Sequence, residues 1–519
     1  MRSTFYGLEI ARSGLFTSQQ GLSLTGHNID NSDTEGYTRQ RIVTKSIEPP
    51  INTGLLRSPS KGQIGGGVDV VSIDQIRDSF LDMQYRRENT TKGEWQAKTS
   101  ALQYIEDVFR EPSKAGINQS IAELFDSMQE LAKYPESKEI RSLVRQDAIK
   151  LTETLGHYDH QLKQLRKEQD TAINIAVMDI NDIIVNIRDL NLQIFKFETG
   201  GDVANDLRDR RNLLMDQLSE IIDVDYYETR DGRFRVDVAG MPLVDHVHVN
   251  KLESVLVEDE IIGGQVYTVK WEGLDRELPI TGGRLKGLIE MRDGRGPEHN
   301  EPMGIPYFVE QLDNLAKAFV QEFNAIHRRG YSLHEPGEDG ISEQGYNFFA
   351  YDGANPKEDI DISKVTAANF SVATEIMEDI YNIAMAEDPT IDADGIPREG
   401  DNRIGLEIIG LRNKKDITVE LIVDGESKNI AIGNLEDYTK GVIADLAVES
   451  SHSDKMSEGQ VILTNSLQNK RLSVSGVSID EEMTMMIQYL HSYNAAARMI
   501  TAVDEQLDVL INRTGLVGR

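Results

Sequence analysis

A proline-free block between Pro135 and Pro242 constrains the fold of this chain more than any other feature of its sequence. A glycine pair at positions 200 and 201 predicts where the helix within this block ends. At ~1.5 Å per residue, a helix of about 60 residues spans roughly 90 Å, so the sequence predicts a rod. A second helix, 207–222, is predicted to fold back on it. The rod is predicted because apolar residues recur at the three- and four-residue intervals of one helix face, namely Leu151, Leu155, Tyr158, Leu162, Leu165, Ala172, Ala176, Ile183, Ile187, Leu190, Ile194 and Phe197.

Both ends of the chain carry helical patterns that suit close packing. A capping box at Ser478 and Glu481 predicts the start of the C-terminal helix. The N-terminal pattern combines large residues every seven positions with small ones (Ala11, Ser18 and Thr25) between them. We therefore predict that the terminal helices form a shared coiled coil. Its predicted assembly interface consists of Leu8, Ala11, Leu15, Leu22, Ile29, Met483, Met486, Leu490, Tyr493, Ala497, Ile500, Leu507 and Ile511.

The middle of the chain changes from a helical period to an alternating one. Strands are predicted in GRFRVDVAGMPLVDHVHVN, QVYTVKW and DITVELIVDGESKNIAI, with a helix at 306–326 between them. The fold class is therefore mainly α with a β-rich middle, in an α+β, multidomain arrangement. We predict a coiled-coil domain from 1–45 and 476–519, a long helical domain from 46–225 and 434–475, and an outer β-rich domain, 226–433. The outer domain includes an irregular insert at about 330–400.

The composition excludes several classes of function. Lys and Arg total 55 against 87 for Asp and Glu, so the net charge of −32 disfavours nucleic acid and anionic membranes as partners. Cysteine is absent, which excludes disulfides and thiolate chemistry. The N-terminus has no pattern typical of a cleaved signal peptide, and no stretch is apolar enough for a membrane span.

No set of residues in the sequence predicts an active site. His246 and His248 lie two apart on a predicted strand, but no third metal ligand accompanies them, and His157 and His160 are expected on a solvated helix face. The stretch TGGRLKGL lacks the spacing of a phosphate-binding loop, so we interpret it as a turn before a helix. DNSDTEG does not follow EF-hand spacing. We expect no catalytic residue, no cofactor and no metal, and we predict that the protein is not an enzyme.

One polar segment after the N-terminal helix, HNIDNSDTEGYTRQ, resembles a motif of the axial proteins of the bacterial flagellum. The positions that carry this resemblance are Asn28, Asn31, Thr34, Gly36, Tyr37, Arg39 and Gln40. From the residues alone, the segment is a polar loop after a helix, with Gly36 free to adopt a positive φ and with Asn28 and Asn31 able to bond local backbone. Together with the matching C-terminal helix, we interpret it as the elbow between the terminal helix and the body. Within the superfamily, the long helical block and the phrases GGRLKGLIEMRD and AVDEQLDVLINRTGLVGR are most similar to the hook-associated protein 1 family, the first proteins of the hook–filament junction.

The resemblance implies a structural adaptor that joins hook to filament. The partners it implies are the hook protein, the second junction protein (hook-associated protein 3), further copies of the chain in a ring, and an export chaperone on the C-terminal helix. It also implies export by the flagellar type III pathway without a cleaved signal, and an extracellular location. The alternatives are another axial subunit of hook or distal rod, or a cytoplasmic coiled-coil scaffold; an acidic hydrolase is disfavoured because the sequence shows no catalytic signature.

Overall fold

The computed structural model describes residues 6–48, 65–109, 116–229, 231–259, 261–333, 344–351, 353–388, 400–423 and 426–513. Helices dominate this part of the chain. They are α1 (Tyr6–Asp30), α2 (Ser79–Phe109), α3 (Ile117–Lys133), α4 (Lys138–Glu198), α5 (Asn205–Ile221), α6 (Gly283–Asp293), α7 (Ile305–His327), α8 (Thr374–Glu378), α9 (Arg403–Gly410), α10 (Leu435–Ser475) and α11 (Ile479–Asp508). A π-helical turn, Val509–Arg513, follows α11.

The predicted rod is confirmed as α4, an uninterrupted helix of 61 residues. The Ser137 side chain caps its first turn by accepting a hydrogen bond from the Ile140 N–H at 3.4 Å. The predicted return helix is α5, and the predicted central helix is α7. The sequence did not predict α2, and the reason lies in its buried face. The N-terminal half of that face is polar and includes Asp82, Arg86 and Asn89, so no apolar period marks it.

The strands form small antiparallel sheets, which confirms the predicted mixture of helices with a β-containing middle. Among the described strands, a four-stranded meander carries the predicted alternation, and its strand β4 alternates buried and partly exposed residues. The sheets are β1 (Gln40–Ser46) with β2 (Val68–Gln75); β3 (Asp225–Glu228), β4 (Phe234–Val238), β5 (Met241–Asp245) and β6 (His248–Val249); β7 (Leu252–Glu258) with β8 (Gln265–Trp271); β9 (Phe349–Ala350) with β10 (Ser371–Val372); and β11 (Ile417–Val423) with β12 (Glu426–Gly433).

Two apolar cores share α4 as a common spine. The N-terminal half of α4, from Val144 to Leu165, is buried with α3, α7, α9 and the start of α10. Its C-terminal half, from Ile173 to Ile187, is buried with α5, α6 and strands β4, β5, β7 and β8. Both cores therefore draw on residues from either side of position 225. The sequence-based domain division stays a prediction.

The stretch GGRLKG is a turn followed by a helix, as predicted, and its glycines allow close packing. Gly283 has φ +86°, and a Cβ there would lie 2.4 Å from the Ile221 carbonyl oxygen. A Cβ at Gly287 would lie 2.5 Å from the carbonyl oxygen of Glu94 on α2. Only glycine permits these approaches of α6 to its neighbours.

The irregular region after α7 is held by buried polar side chains. His327 is completely buried; its Nε2 accepts from the Ala384 N–H at 2.8 Å, so the proton on Nδ1 is donated to the Tyr346 carbonyl at 2.6 Å. Arg141, also buried, donates to the carbonyls of Pro135 at 2.8 Å and Ile383 at 2.7 Å. The predicted insert at 330–400 is thus packed on the body where it is described; residues 334–343, 352 and 389–399 lie outside the described residues.

Candidate assembly interface

One face of α1 is lined with small side chains, and it packs against α11. Gly21 lies beneath the ring of Tyr489, since a Cβ on Gly21 would come 2.6 Å from two ring carbons. The hydroxyls of Ser18 and Thr25 donate back to carbonyls of α1, so they add no unsatisfied donor to this face. The face therefore allows the two helices to approach closely. Its buried residues are Ala11, Ser18, Gly21, Thr25 and Asn28.

The large residues predicted along α1 flank the contact with α11. Ala11 is buried, whereas Leu8, Leu15, Leu22 and Ile29 are only partly buried. The physical reason is that the closest approach of two helices requires small side chains at the centre of the contact, so larger residues are displaced to its edges. These four side chains remain predicted assembly residues.

The residues predicted along α11 divide between two faces. Met486, Tyr493, Ala497, Ile500 and Leu507 are partly buried, on the side of α11 that carries Tyr489. Met483, Leu490 and, in the π-helical turn, Ile511 are exposed. Two residues that the sequence did not single out, Ile479 and Ile487, are exposed as well. Ile479, Met483, Ile487 and Leu490 follow helical spacing, so they form one open apolar face, which we name the outer face of α11.

Asn28 is the centre of the motif that follows α1. It is 1% exposed, and its amide makes four hydrogen bonds. Nδ2 donates to the Gln40 carbonyl at 2.9 Å and to Glu482 Oε2 at 3.0 Å, while Oδ1 accepts from the Tyr37 hydroxyl at 2.8 Å and the Gln40 N–H at 3.1 Å. Every donor and acceptor of the side chain is satisfied. Asn28 thereby joins α1 to both β1 and the first turn of α11.

The rest of the motif makes the elbow predicted from the sequence. The Asn31 side chain donates to the His27 carbonyl at 2.9 Å, and the Thr34 N–H bonds to the Asn31 carbonyl at 3.0 Å. Gly36 has φ +78°, the positive value anticipated for it. Burial, with the carboxylates around it, raises the pKa of Tyr37, so its hydroxyl keeps the proton that it donates to Asn28.

Arg39 links the same motif to the C-terminal helix. Its guanidinium donates to Glu482 Oε1 at 2.7 Å and to Glu481 Oε2 at 2.6 Å, and its backbone N–H donates to the Ser475 carbonyl at 2.8 Å. The predicted capping box is wrong in its contacts: Ser478 is the N-cap residue, but its side chain makes no capping bond. The Glu481 carboxylate instead bonds to an arginine that lies about 440 residues earlier, a contact that local sequence does not reveal.

On its other side the motif is bound to α5. The Thr38 N–H donates to Asp209 Oδ2 at 3.0 Å, and the Gln40 side chain donates to Asp206 Oδ1 at 2.9 Å. Asn205 donates to Gln40 Oε1 at 3.2 Å. These contacts, which the sequence did not predict, make the elbow a three-way joint of α1, α11 and the helical body.

A row of buried charges continues from this joint into the body. Arg77 pairs with Asp82 at 2.5 Å, and Arg471 bridges Asp82 at 3.2 Å and Asp216 at 2.9 Å. Arg86 completes the row with a contact of 2.7 Å to Asp216. Because the charges alternate in sign, the row connects α2, α5 and α10 through ion pairs with little exposure to water.

The histidines considered as metal ligands lie apart in two regions of the structure. The prediction that His246 and His248 share a strand is wrong, because His246 has φ +54° in the tight turn between β5 and β6. His157 and His160 are both exposed on α4, as expected. Within the described residues, no three His, Cys, Asp or Glu side chains are grouped so as to hold a metal ion. None of the helices in this part of the chain is long and apolar enough to cross a membrane.

Family models match two parts of the chain. The model described as "Flagellar hook-associated protein FlgK helical domain" matches residues 102–349, which run from α2 to β9. The model described as "Flagellar basal body rod FlgEFG protein C-terminal" matches residues 468–513, the end of α10 together with α11 and its final turn. The second match thus includes the helix that Arg39 and Asn28 hold.

Whole-chain comparisons agree with these matches. The chain is 30% identical over 542 aligned positions to Flagellar hook-associated protein 1 of Bacillus subtilis (strain 168), with 100% of both chains covered. It is 23% identical to Flagellar hook-associated protein 1 of Salmonella typhimurium, covering 97% of this chain and 98% of that relative. The fold is similar to that of the flagellar hook junction protein FlgK from Burkholderia pseudomallei, with a TM-score of 0.59 and 15% identity over 76% of this chain and 100% of that one.

Proposed function

Because the chain belongs to the flagellar hook-associated protein 1 family, we propose that it assembles into the flagellum through its paired terminal helices. Its role is structural, at the junction of hook and filament. We propose which surface of the chain makes the contacts in the assembled flagellum. It is supported by the outer face of α11, where Ile479, Met483, Ile487 and Leu490 are 47–53% exposed on one helix.

The energetics favour a protein partner for this face. Burial of one such side chain is worth about 1.5–3 kcal/mol, so four of them repeated around a ring offset a substantial ordering cost. Copies of a chain with net charge −32 repel one another, and an uncharged face is where that repulsion is weakest. We propose that neighbouring copies cover this face and the flanking residues Leu8, Leu15, Leu22 and Ile29.

The direct test replaces apolar residues of the outer face while leaving the α1 contact intact. In the double variant Met483→Ser, Leu490→Ser, we expect the folded chain to be absent from the junction when flagella are labelled with a specific antibody. Leu406→Ser is the matched control, since Leu406 is 55% exposed on α9 in the body. Normal junction labelling of the double variant contradicts the proposal.

The predicted three-part organisation is part of the proposal. It assigns 1–45 with 476–519 to assembly, 46–225 with 434–475 to the helical body, and 226–433 to the outer region. The hydrogen bonds of Asn28 and Arg39 to Glu482 support the grouping of 1–45 with 476–519. We expect a chain shortened to residues 46–475 to keep the circular dichroism signal of its remaining helices, α2 to α10, but to be missing from flagella. Collapse of this shortened chain contradicts the division.

The specific partners follow from the same family membership. The chain associates with the hook and with other flagellar components; we propose that these are the hook protein on one side and hook-associated protein 3 on the other. We further propose that an export chaperone covers α11 before assembly, that export proceeds through the flagellar type III pathway without cleavage, and that the protein has no enzymatic activity. In a strain without filaments, intact chain of uncleaved mass is expected in the culture fluid.

A further inference from the structure

Residues at the contact between α1 and α11 belong to seven-residue repeats in the sequence of both helices. On α1 the sequence places glycine at 7, 14 and 21 and then Asn28. On α11 it places Glu482, Tyr489, Ala496 and Val503 at the same interval. Two observed contacts, Gly21 with Tyr489 and Asn28 with Glu482, define an antiparallel pair in which one heptad of α1 faces one heptad of α11.

Apolar packing alone does not select this register. A shift by one heptad places Tyr489 beside Gly14. Gly14 also lacks a side chain, and a Cβ on it would meet nothing within 4 Å, so there is space for the tyrosine ring at this position. The partly buried residues Met486, Tyr493, Ile500 and Leu507 also lie seven apart. After such a shift they present the same kind of surface to α1.

The polar contacts differ between the two registers. In the observed one, Glu482 is 2% exposed and accepts from Asn28 Nδ2 at 3.0 Å and Arg39 Nε at 2.7 Å. After the shift, Glu482 faces Gly21, which offers no side-chain donor. A buried carboxylate without partners is strongly unfavourable, and single polar residues in helix pairs are known to fix register in this way.

We infer that Glu482, held by Asn28 and Arg39, is the positioning residue that fixes the register of the terminal helix pair. Through Asn28 and Arg39, the N-terminal motif thus fixes the axial position of α11 relative to α1. The position of the outer face of α11 is fixed with it. The consequence for assembly rests on the proposed function, whereas the register is a property of the isolated chain. The two are therefore tested separately.

Disulfide formation between introduced cysteines reads the register directly, because the natural chain has no cysteine. The pair Gly21→Cys, Tyr489→Cys reports the observed register. The pair Gly14→Cys, Tyr489→Cys reports the shifted one. Positions seven residues apart on a helix are separated by about 10 Å, too far for one register to form both disulfides. Each pair is introduced into the purified full-length chain, which is oxidised and analysed on non-reducing gels.

In the natural background we expect the 21–489 disulfide to exceed the 14–489 disulfide by more than about tenfold. Glu482→Ala is expected to raise the 14–489 disulfide to a comparable yield, and Arg39→Met to raise it by a smaller amount. Glu482→Gln keeps an acceptor for Asn28 and is expected to restore the natural pattern. Glu481→Ala is the control, since Glu481 contacts the same arginine but is exposed.

Three results overturn the inference. The 14–489 disulfide in the natural background means that the register is not fixed. An unchanged pattern in Glu482→Ala means that other contacts fix it. A loss of the 21–489 disulfide in Glu482→Ala and Arg39→Met, without any rise of the 14–489 disulfide, means that these residues only stabilise the pair. If these variants are missing from flagella while their disulfide pattern is unchanged, the defect lies in assembly and not in the register. That result overturns the register inference and leaves the proposed function standing.

Discussion

The backbone N–H of Thr38 donates a hydrogen bond of 3.0 Å to the buried carboxylate of Asp209. Burial raises the pKa of Asp209 to about 6; Arg77, 3.6 Å away, and the Thr38 donors oppose this rise, while the nearby carboxylate of Asp206 adds to it. The joint between the N-terminal motif and α5 therefore contains a carboxylate that takes up a proton under mildly acidic conditions.

This pKa predicts how acidification affects the joint. Because it lies above the unfolded value of about 3.9, the folded state binds the proton more tightly, and the free energy of unfolding attributable to Asp209 rises as the pH falls from 7 to 4. The expected gain is up to about 3 kcal/mol. Urea unfolding of the natural chain and of Asp209→Asn at both pH values isolates this contribution. No difference between the two chains in their pH dependence contradicts the assignment.

Substitution of Gly21 is predicted to separate the terminal helices. Gly21→Leu places side-chain atoms where the Tyr489 ring lies, and such overpacking costs about 1–3 kcal/mol. Gly26→Ala is the matched control on the same helix, because a Cβ there meets nothing within 4 Å; it is expected to stabilise α1 by up to about 1 kcal/mol. Thermal unfolding followed by circular dichroism measures both. Equal effects of the two substitutions argue against the close contact.

His327 is predicted to make the region after α7 sensitive to acid. Burial lowers its pKa to about 4, below the unfolded value of about 6.5, so its contribution to stability is complete above pH 6.5 and is lost as the pH falls through 4. The expected loss is about 3 kcal/mol relative to the variant His327→Gln, which does not titrate. Unfolding measured at pH 7 and pH 4 gives the difference. If the natural chain loses no more stability between pH 7 and pH 4 than His327→Gln does, His327 is not the acid-sensitive group.

Asp216 is predicted to be the costliest single loss in the row of buried charges. Asp216→Ala leaves the guanidinium of Arg86 without its carboxylate and removes one of the two carboxylates of Arg471, which is expected to cost about 3–5 kcal/mol. Asp275→Ala breaks an exposed pair with Lys270 and is expected to change stability by less than about 1 kcal/mol. Chemical denaturation compares them. If both substitutions lower the free energy of unfolding by a similarly small amount, water enters the row of buried charges and replaces the lost ion pairs.

The sequence predicts the long helices because their evidence is local. The apolar period of α4, uninterrupted by proline, is sufficient to place its ends within a few residues. The same holds for α1 and α11, and the motif around Asn28 indicates an elbow through Gly36. Within the body, α2 was missed because Asp82 and Arg86 are buried on it as ion-pair partners of α10 and α5, which lie far away in the sequence.

The candidate interface is only partly predictable for the same reason. Leucines every seven residues indicate a helix contact, but they do not show that Gly21 lies at its centre, since that depends on Tyr489. Glu481 and Glu482 resemble ordinary acidic residues of a first helical turn until Arg39 and Asn28 are placed beside them. These polar contacts between the two ends of the chain leave no periodic signal in either end.

The pairing of α1 with α11 also has a consequence for the order of events during synthesis. Asn28 and Glu482 are separated by 454 residues, so α1 emerges from the ribosome long before its partner exists. At about 5–20 residues per second, its small-residue face stays uncovered for tens of seconds. During that interval, any factor that prevents nascent chains from associating through this face must bind α1 in the absence of α11.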